Sequence, residues 1–396
     1  MWPMKHLSQS PTDPDFVQNP YPFYERARTG GDLFFWEEYG MPAAVGLDLV
    51  NAIFRDRRFG REVPEEKRTP VPDHLTPFYD IEAHSMLELE PPRHTRLRSL
   101  VLRAFTSRRI KELGPDIESL SHALIDGFPD GEFDLLAAFA DPLPVTIIAR
   151  LLGVPEEMGP QLLRWSHDMV AMYQASRTSE TELAAARASS EFADFIRDYI
   201  NSRRRVPGDD LLTHLIAAEE AGEKLTTDEL ITTCILLLNA GHEATVHGLG
   251  NAVKTILEQD VVAAFSSGDG IDLAVEETLR FDPPLHMFTR WAYEDIEIGG
   301  HAFKRGDQVA LLLGAANRDP KAWDAPERFD PTRPIRTNMA FGGGLHFCVG
   351  APLARLEMQI ALPILFDRCP GLTLVETPRY ANVYHFHGLE RLMVAR

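Results

Sequence analysis

"FGGGLHFCVGAPLARLE", residues 341–357, sets three consecutive glycines before a cysteine and a helix start after it. Glycine lets the backbone approach a neighbour that any side chain would hold off, so this loop is read as passing close to something flat and bulky. Pro352 suits the first turn of a helix, whose partly positive end then lies beside Cys348 and favours a thiolate. A small buried cysteine behind a glycine-rich turn is the plainer reading of the same residue types. Zinc held by His346 and Cys348 fits less well, because two further ligands at plausible spacing are missing.

Working outward, the chain of 396 residues is 44% hydrophobic and 25% charged, the profile of a globular protein with a sizeable core. A formal charge of −19 speaks against nucleic acid or an anionic membrane as partner. Residues 93–111, "RHTRLRSLVLRAFTSRRIK", depart from that balance with seven Lys/Arg and no acid. They are either a solvated helix face or a docking stripe. Cys234, Cys348 and Cys369 form no CxxC pair, so neither a disulfide framework nor a zinc ribbon is expected, and a reducing cytoplasm fits. The start, "MWPMKHLSQSPTDPDF", has no basic and then apolar stretch, and no run of membrane-spanning length occurs; neither export signal nor anchor is expected.

The first 90 residues mix proline and aromatics, with strand-like patches at "DLFFWEEYG" and "PAAVGL". Apolar residues at three- and four-residue spacing then predict helices over 93–113, 115–127, 141–153, 160–173, 181–204 and 209–218. A capping box, Thr226 with Glu229, opens a longer helix predicted to run to about Glu258. That helix carries "ILLLNAGHEATVHG", residues 235–248, where a glycine and a carboxylate interrupt an apolar run. Both are locally unfavourable and so call for a reason. After 283 prolines recur with short strands and turns, a final helix follows 350, and hairpins close the chain.

Phe341, Gly344, His346, Cys348 and Gly350 match at every position the Phe-x-x-Gly-x-His-x-Cys-x-Gly haem loop of the cytochromes P450, which the chain resembles over nearly its whole length. Glu277 and Arg280 in "EETLR" look like the family's Glu-x-x-Arg, and Arg328 in "PERFDP" stands where the family places the third member of a buried network bracing that loop. His94 and Arg98 match its His-x-x-x-Arg, and with Arg290 and His346 they make the expected partners of two haem propionates.

The resemblance implies a mainly α fold with small β-sheets, one domain over 1–396. Residues 1–90 and 283–396 would supply its β-rich part and 91–282 its helical part. Haem b would be buried between the long distal helix and a proximal helix behind the cysteine loop, with Cys348 on the iron. The implied reaction is monooxygenation: dioxygen and electrons are used to hydroxylate or epoxidise a mid-sized, largely apolar molecule. Electrons would come from a ferredoxin and its NAD(P)H-dependent reductase, docked on the basic stripe at Arg103, Arg108 and Arg109, and the protein would act as a cytoplasmic monomer.

Helix arithmetic on the distal helix puts Leu236, Asn239, Ala240, Glu243 and Ala244 on one stripe facing iron and substrate, with His242 off it. The expected roles are room for dioxygen at Gly241 and proton delivery at Glu243. The family's threonine is replaced by Ala244, and Thr245 is rotated about 100° away. A substrate oxygen, met also by Asn239, is the expected substitute for that hydroxyl. Further substrate candidates carried from the family are Met86, Leu87, Leu285, His286, Met287, Phe288, His385 and Phe386. Two other functions remain open at this point: a peroxide-driven peroxygenase, and a haem sensor or ligand carrier without turnover.

Overall fold

The computed structural model describes residues 4–174, 177–220, 222–266 and 270–396. The basic segment expected as one helix is two, α1 (Arg93–Ala104) and α2 (Ser107–Glu112). Thr106 breaks it: its hydroxyl accepts from the Arg109 amide at 3.3 Å and caps the second helix. Next come α3 (Pro142–Leu152), α4 (Gly159–Val170) and α5 (Ser179–Arg205). The predicted long helix is α6 (Thr227–Glu258), opened by the predicted box: the Glu229 amide donates to Thr226 Oγ1 and the Thr226 amide to Glu229 Oε2. Two more helices matter to the site, α7 (Ile271–Phe281) and α8 (Ala351–Arg368).

α6 is the axis of the helical part, packed by α3, α4, α5, α7 and α8, and most of its residues are buried on all sides. A buried helix with a few open positions marks a cavity, which makes the exceptions on α6 informative.

Strands β1 (His6–Leu7), β2 (Leu33–Trp36), β3 (Met41–Ala44), β4 (Phe59–Gly60), β5 (Met287–Ala292) and β6 (Gln308–Leu312) form one mixed sheet in the order β1-β2-β3-β6-β5-β4. The sheet thus joins the first 60 residues to the segment after 283, with β3 parallel to β6 and β5 antiparallel to it. One large hydrophobic core fills the helical part, and two smaller cores flank the sheet. Tail strands pair as the hairpin pattern suggests, Arg379–Tyr380 with Leu389–Arg391 and Thr373–Leu374 with Met393–Ala395. Among the described residues no helix is long and apolar enough to cross a membrane.

Candidate functional site

Gly342 and Gly344 both lie at φ +66°, a backbone conformation that other residues adopt only with strain. A side chain at Gly344 would collide with the Phe54 carbonyl, so part of the glycine requirement is packing of the loop on the helix Leu47–Arg55. The loop then delivers Cys348, the exposed one of the three cysteines, to the start of α8, with Gly350 as N-cap. The expected thiolate is not a property of the loop alone. The surrounding protein desolvates the sulfur and raises the thiol, against the downward pull of the Gly350 and Ala351 amides, Arg98 and Arg355.

Beneath the loop, Arg280 grips Glu277 with two bonds of 2.7 Å, both side chains sealed from water. The third member of this network is Arg333, whose Nε donates to Glu277 Oε1 at 3.1 Å, and not Arg328. Arg328 points outward, 73% exposed with its guanidinium 3.6 Å from Asp330, and meets the network through its carbonyl, which accepts from Arg280 and Arg333. The brace reaches the loop through Asn317: its carbonyl accepts from Arg280, its Oδ1 accepts from the Met339 amide at 2.6 Å, and the Gly342 amide donates to the Met339 carbonyl. A second tie, absent from the sequence reading, pairs Glu276 of α7 with Arg355 of α8, whose guanidinium lies 4.5 Å over the Phe341 ring.

His94, Arg290 and His346 converge above the loop. His94 is 2% exposed, yet neither ring nitrogen has a hydrogen-bond partner. Burial first, then His346 and Arg98, push it down to about 4, so it is neutral here. Its ring lies 4.4 Å from that of His346, which pairs with Glu90 at 2.9 Å. Arg290, inward-facing on β5, is buried with only the Thr289 carbonyl as acceptor, and desolvation lowers it to about 9. Arg98 donates to the Phe347 carbonyl at 2.6 Å, next to the cysteine. A buried imidazole and a buried guanidinium short of acceptors, together with the Cys348 thiol, are the donor set that two propionates and an iron need, and the residues fit haem b.

On α6 the incompletely buried positions between 236 and 247 are Leu236, Asn239, Ala240, Gly241, Ala244 and His247. Leu236, Asn239, Ala240 and Ala244 thus form the open stripe expected. Asn239 Oδ1 is buried and unpartnered, and its Nδ2 touches only Met169 Sδ at 3.7 Å. Two placements differ from the expectation. Gly241 faces α3, where a Cβ would come within 2.9 Å of Ile148, so the glycine permits helix contact rather than room for dioxygen. Glu243 is buried, accepts from Ser166 Oγ at 3.3 Å through Oε1, and lies among three imidazoles: His167 of α4 at 3.4 Å, His242 at 3.6 Å and His247 at 3.9 Å. Burial pushes its carboxyl up, but His242, His167 and His247 outweigh that and hold it below its ordinary value. Thr245 bonds back to the Gly241 carbonyl at 3.5 Å and offers nothing to the stripe.

Of the substrate candidates, Leu285 bridges to Phe386, and the Phe386 ring lies 6.2 Å from His247, so these three gather at one edge of the stripe. Phe288 is half-buried, against Phe54 and Arg61. Leu87 and His385 are half-buried, while Met86 and Met287 are core residues. His286 leaves the set: it is wholly buried, bonded to the Tyr24 hydroxyl at 2.9 Å and packed on His387.

The family model "Cytochrome P450" matches residues 271–373. The chain is 41% identical to 6-deoxyerythronolide B hydroxylase of Saccharopolyspora erythraea, covering 83% of each chain. It is 37% identical to the monooxygenase PikC of Streptomyces venezuelae over 92% of this chain and 87% of that one. The solved structure of P450BioI in complex with a hexadec-9Z-enoic acid ligated acyl carrier protein superposes with a TM-score of 0.88 at 36% identity, covering 96% of this chain and 99% of that one.

Proposed function

The chain belongs to the cytochrome P450 family, and on that premise we propose how its residues divide the work of a haem b monooxygenase. Such an enzyme combines a small-molecule substrate, dioxygen and electrons from a redox partner. Haem held by a cysteinate supplies the activation of dioxygen, the thiolate favouring O–O cleavage. In our reading Cys348 is that ligand, on a loop shaped by Phe341, Gly344 and Gly350. His94, Arg98, Arg290 and His346 hold the propionates, and Glu277, Arg280 and Arg333 keep the loop in place.

Protons enter at His167, which is exposed, and pass to Glu243 Oε1. Once the protonated carboxyl turns over, they pass to His247, whose Nε2 lies 3.9 Å from Oε2, three residues beyond Ala244 and beside the open stripe. The separations of 3.4 and 3.9 Å close to hydrogen-bond contact by side-chain rotation. A carboxyl held below its ordinary value gives a proton up readily, so Glu243 is a carrier rather than a store.

We assign a ferredoxin as donor, docking on α1 and α2. The support is the bond from Arg98 to the Phe347 carbonyl, which sets this basic segment against the cysteine side. The three unpaired cysteines support a cytoplasmic setting, and we take the working form as a monomer. Kinship to a hydroxylase supports hydroxylation of a mid-sized, largely apolar substrate. The observation that carries its remaining feature, an oxygen near the reacting carbon, is the open stripe. No hydroxyl stands at Ala244, while the Asn239 amide lies there with an unanswered acceptor. The Ala244→Thr variant tests it with ferredoxin, reductase and NADH. Coupling of NADH use to product stays level or falls if the substrate supplies the hydroxyl, and a sharp improvement on the native substrate contradicts that.

A further inference from the structure

The geometry points to a second metal site, for a divalent transition ion of the zinc type, formed by His167, His242 and Glu243 between α4 and α6. Two ligand atoms each about 2.0 Å from a tetrahedral ion stand about 3.3 Å apart. Glu243 Oε1 lies 3.4 Å from His167 Nε2 and 3.6 Å from His242 Nε2. Both gaps are long for hydrogen bonds and close to what an ion between the atoms requires. All three ligand atoms lie within 4.8 Å of one another.

His242 is already set as a ligand. Its Nδ1 donates to the Leu238 carbonyl at 2.6 Å, which leaves the Nε2 lone pair free. That nitrogen is buried, in a residue 1% exposed, and has no hydrogen-bond partner. An orphaned buried imidazole nitrogen 3.6 Å from a carboxylate oxygen asks for a cation. His167, with a side chain 59% exposed, gives the ion a way in and leaves a fourth position to water. Ser166 Oγ, 3.3 Å from Glu243 Oε1, and His247 Nε2, 3.9 Å from Oε2, are further donors close by, and Asp141 adds acidic charge to the same neighbourhood.

A second cluster of ligand type, Asp282, His286 and His387, has no comparable opening. All three are buried, Asp282 already accepts from Tyr21 and Tyr380, and Arg318 and Lys254 set positive charge against its histidines.

An ion at the first cluster occupies Glu243 and so closes the proton route, making zinc a reversible inhibitor. That consequence rests on the proton route proposed above; the binding itself does not. Calorimetric titration of Zn2+ into tag-free holoprotein tests the site. The expected result is saturable binding of one ion per chain, weakened at least about tenfold by His167→Ala and unchanged by His6→Ala. No saturable binding, or full affinity in His167→Ala, overturns the site. Zinc should also slow NADH-driven turnover of the wild type, with recovery on adding a chelator. Binding that leaves turnover unchanged overturns the proton route while the site stands.

Discussion

At Glu277 one carboxylate, closed off from water, accepts from Arg280, from Arg333 and from the Asp330 amide. Removing a partner from a buried ionic cluster leaves charge unanswered, so Arg333→Ala should cost about 1.5–3 kcal/mol and weaken haem retention. Arg328→Ala, at a guanidinium directed to solvent, should stay within about 0.5 kcal/mol. Denaturant unfolding of the two variants decides the assignment, and equal losses would contradict it. The motif pointed to Arg328 because its position relative to Pro326 and Phe329 is local and legible. Which guanidinium reaches Glu277 depends on the path of the loop over 324–333. There the Asp324, Ala325 and Arg328 carbonyls all accept from Arg333. Nothing in the spacing of arginines carries that path.

Helix phase on α6 was legible in outline and failed at its edges. The arithmetic placed Leu236, Asn239, Ala240 and Ala244 together, because a period of 3.6 is a property of the backbone. Gly241 and Glu243 flank that stripe, and their direction is set by what faces them: Ile148 on α3, His167 on α4. Those are tertiary facts with no local signal. The basic stripe divides in the same way. Arg109 is engaged by His214 and Asp209, so it serves to hold α2 in place. Arg108 is 88% exposed and paired only along its own helix with Glu112. Charge reversal, Arg108→Glu, should therefore raise the Michaelis constant for ferredoxin several-fold and weaken its salt dependence, with kcat at saturating ferredoxin retained. An unchanged constant across ionic strengths contradicts docking on α2.

Among the described residues, burial lowers six histidines: His94 and His385 to about 4, His286 and His387 well below their ordinary value, and His247 and His346 below it. In the unfolded chain they protonate near 6.5, so the stability they contribute is fully present above that pH and is lost as pH falls toward 4. Propionates on His94 give its protonated form a partner, so haem should soften the loss. The melting temperature of haem-free protein is expected to fall more steeply between pH 6.5 and about 4 than that of holoprotein, and parallel curves contradict this. The overall architecture was legible because its determinants are short and local: a capping box, helical periodicity, proline-rich strands and the cysteine loop. The histidine clusters were not, since His387 meets Asp282 and His286, and His167 meets Glu243, only once distant segments are packed. All of this turns on Cys348 carrying iron through its sulfur. Reduced protein under carbon monoxide tests that most directly. The wild type, Cys234→Ser and Cys369→Ser should show the red-shifted Soret band of a thiolate-bound haem, and Cys348→His should not. A wild type without the shift, or a Cys348→His variant that keeps it, contradicts the assignment.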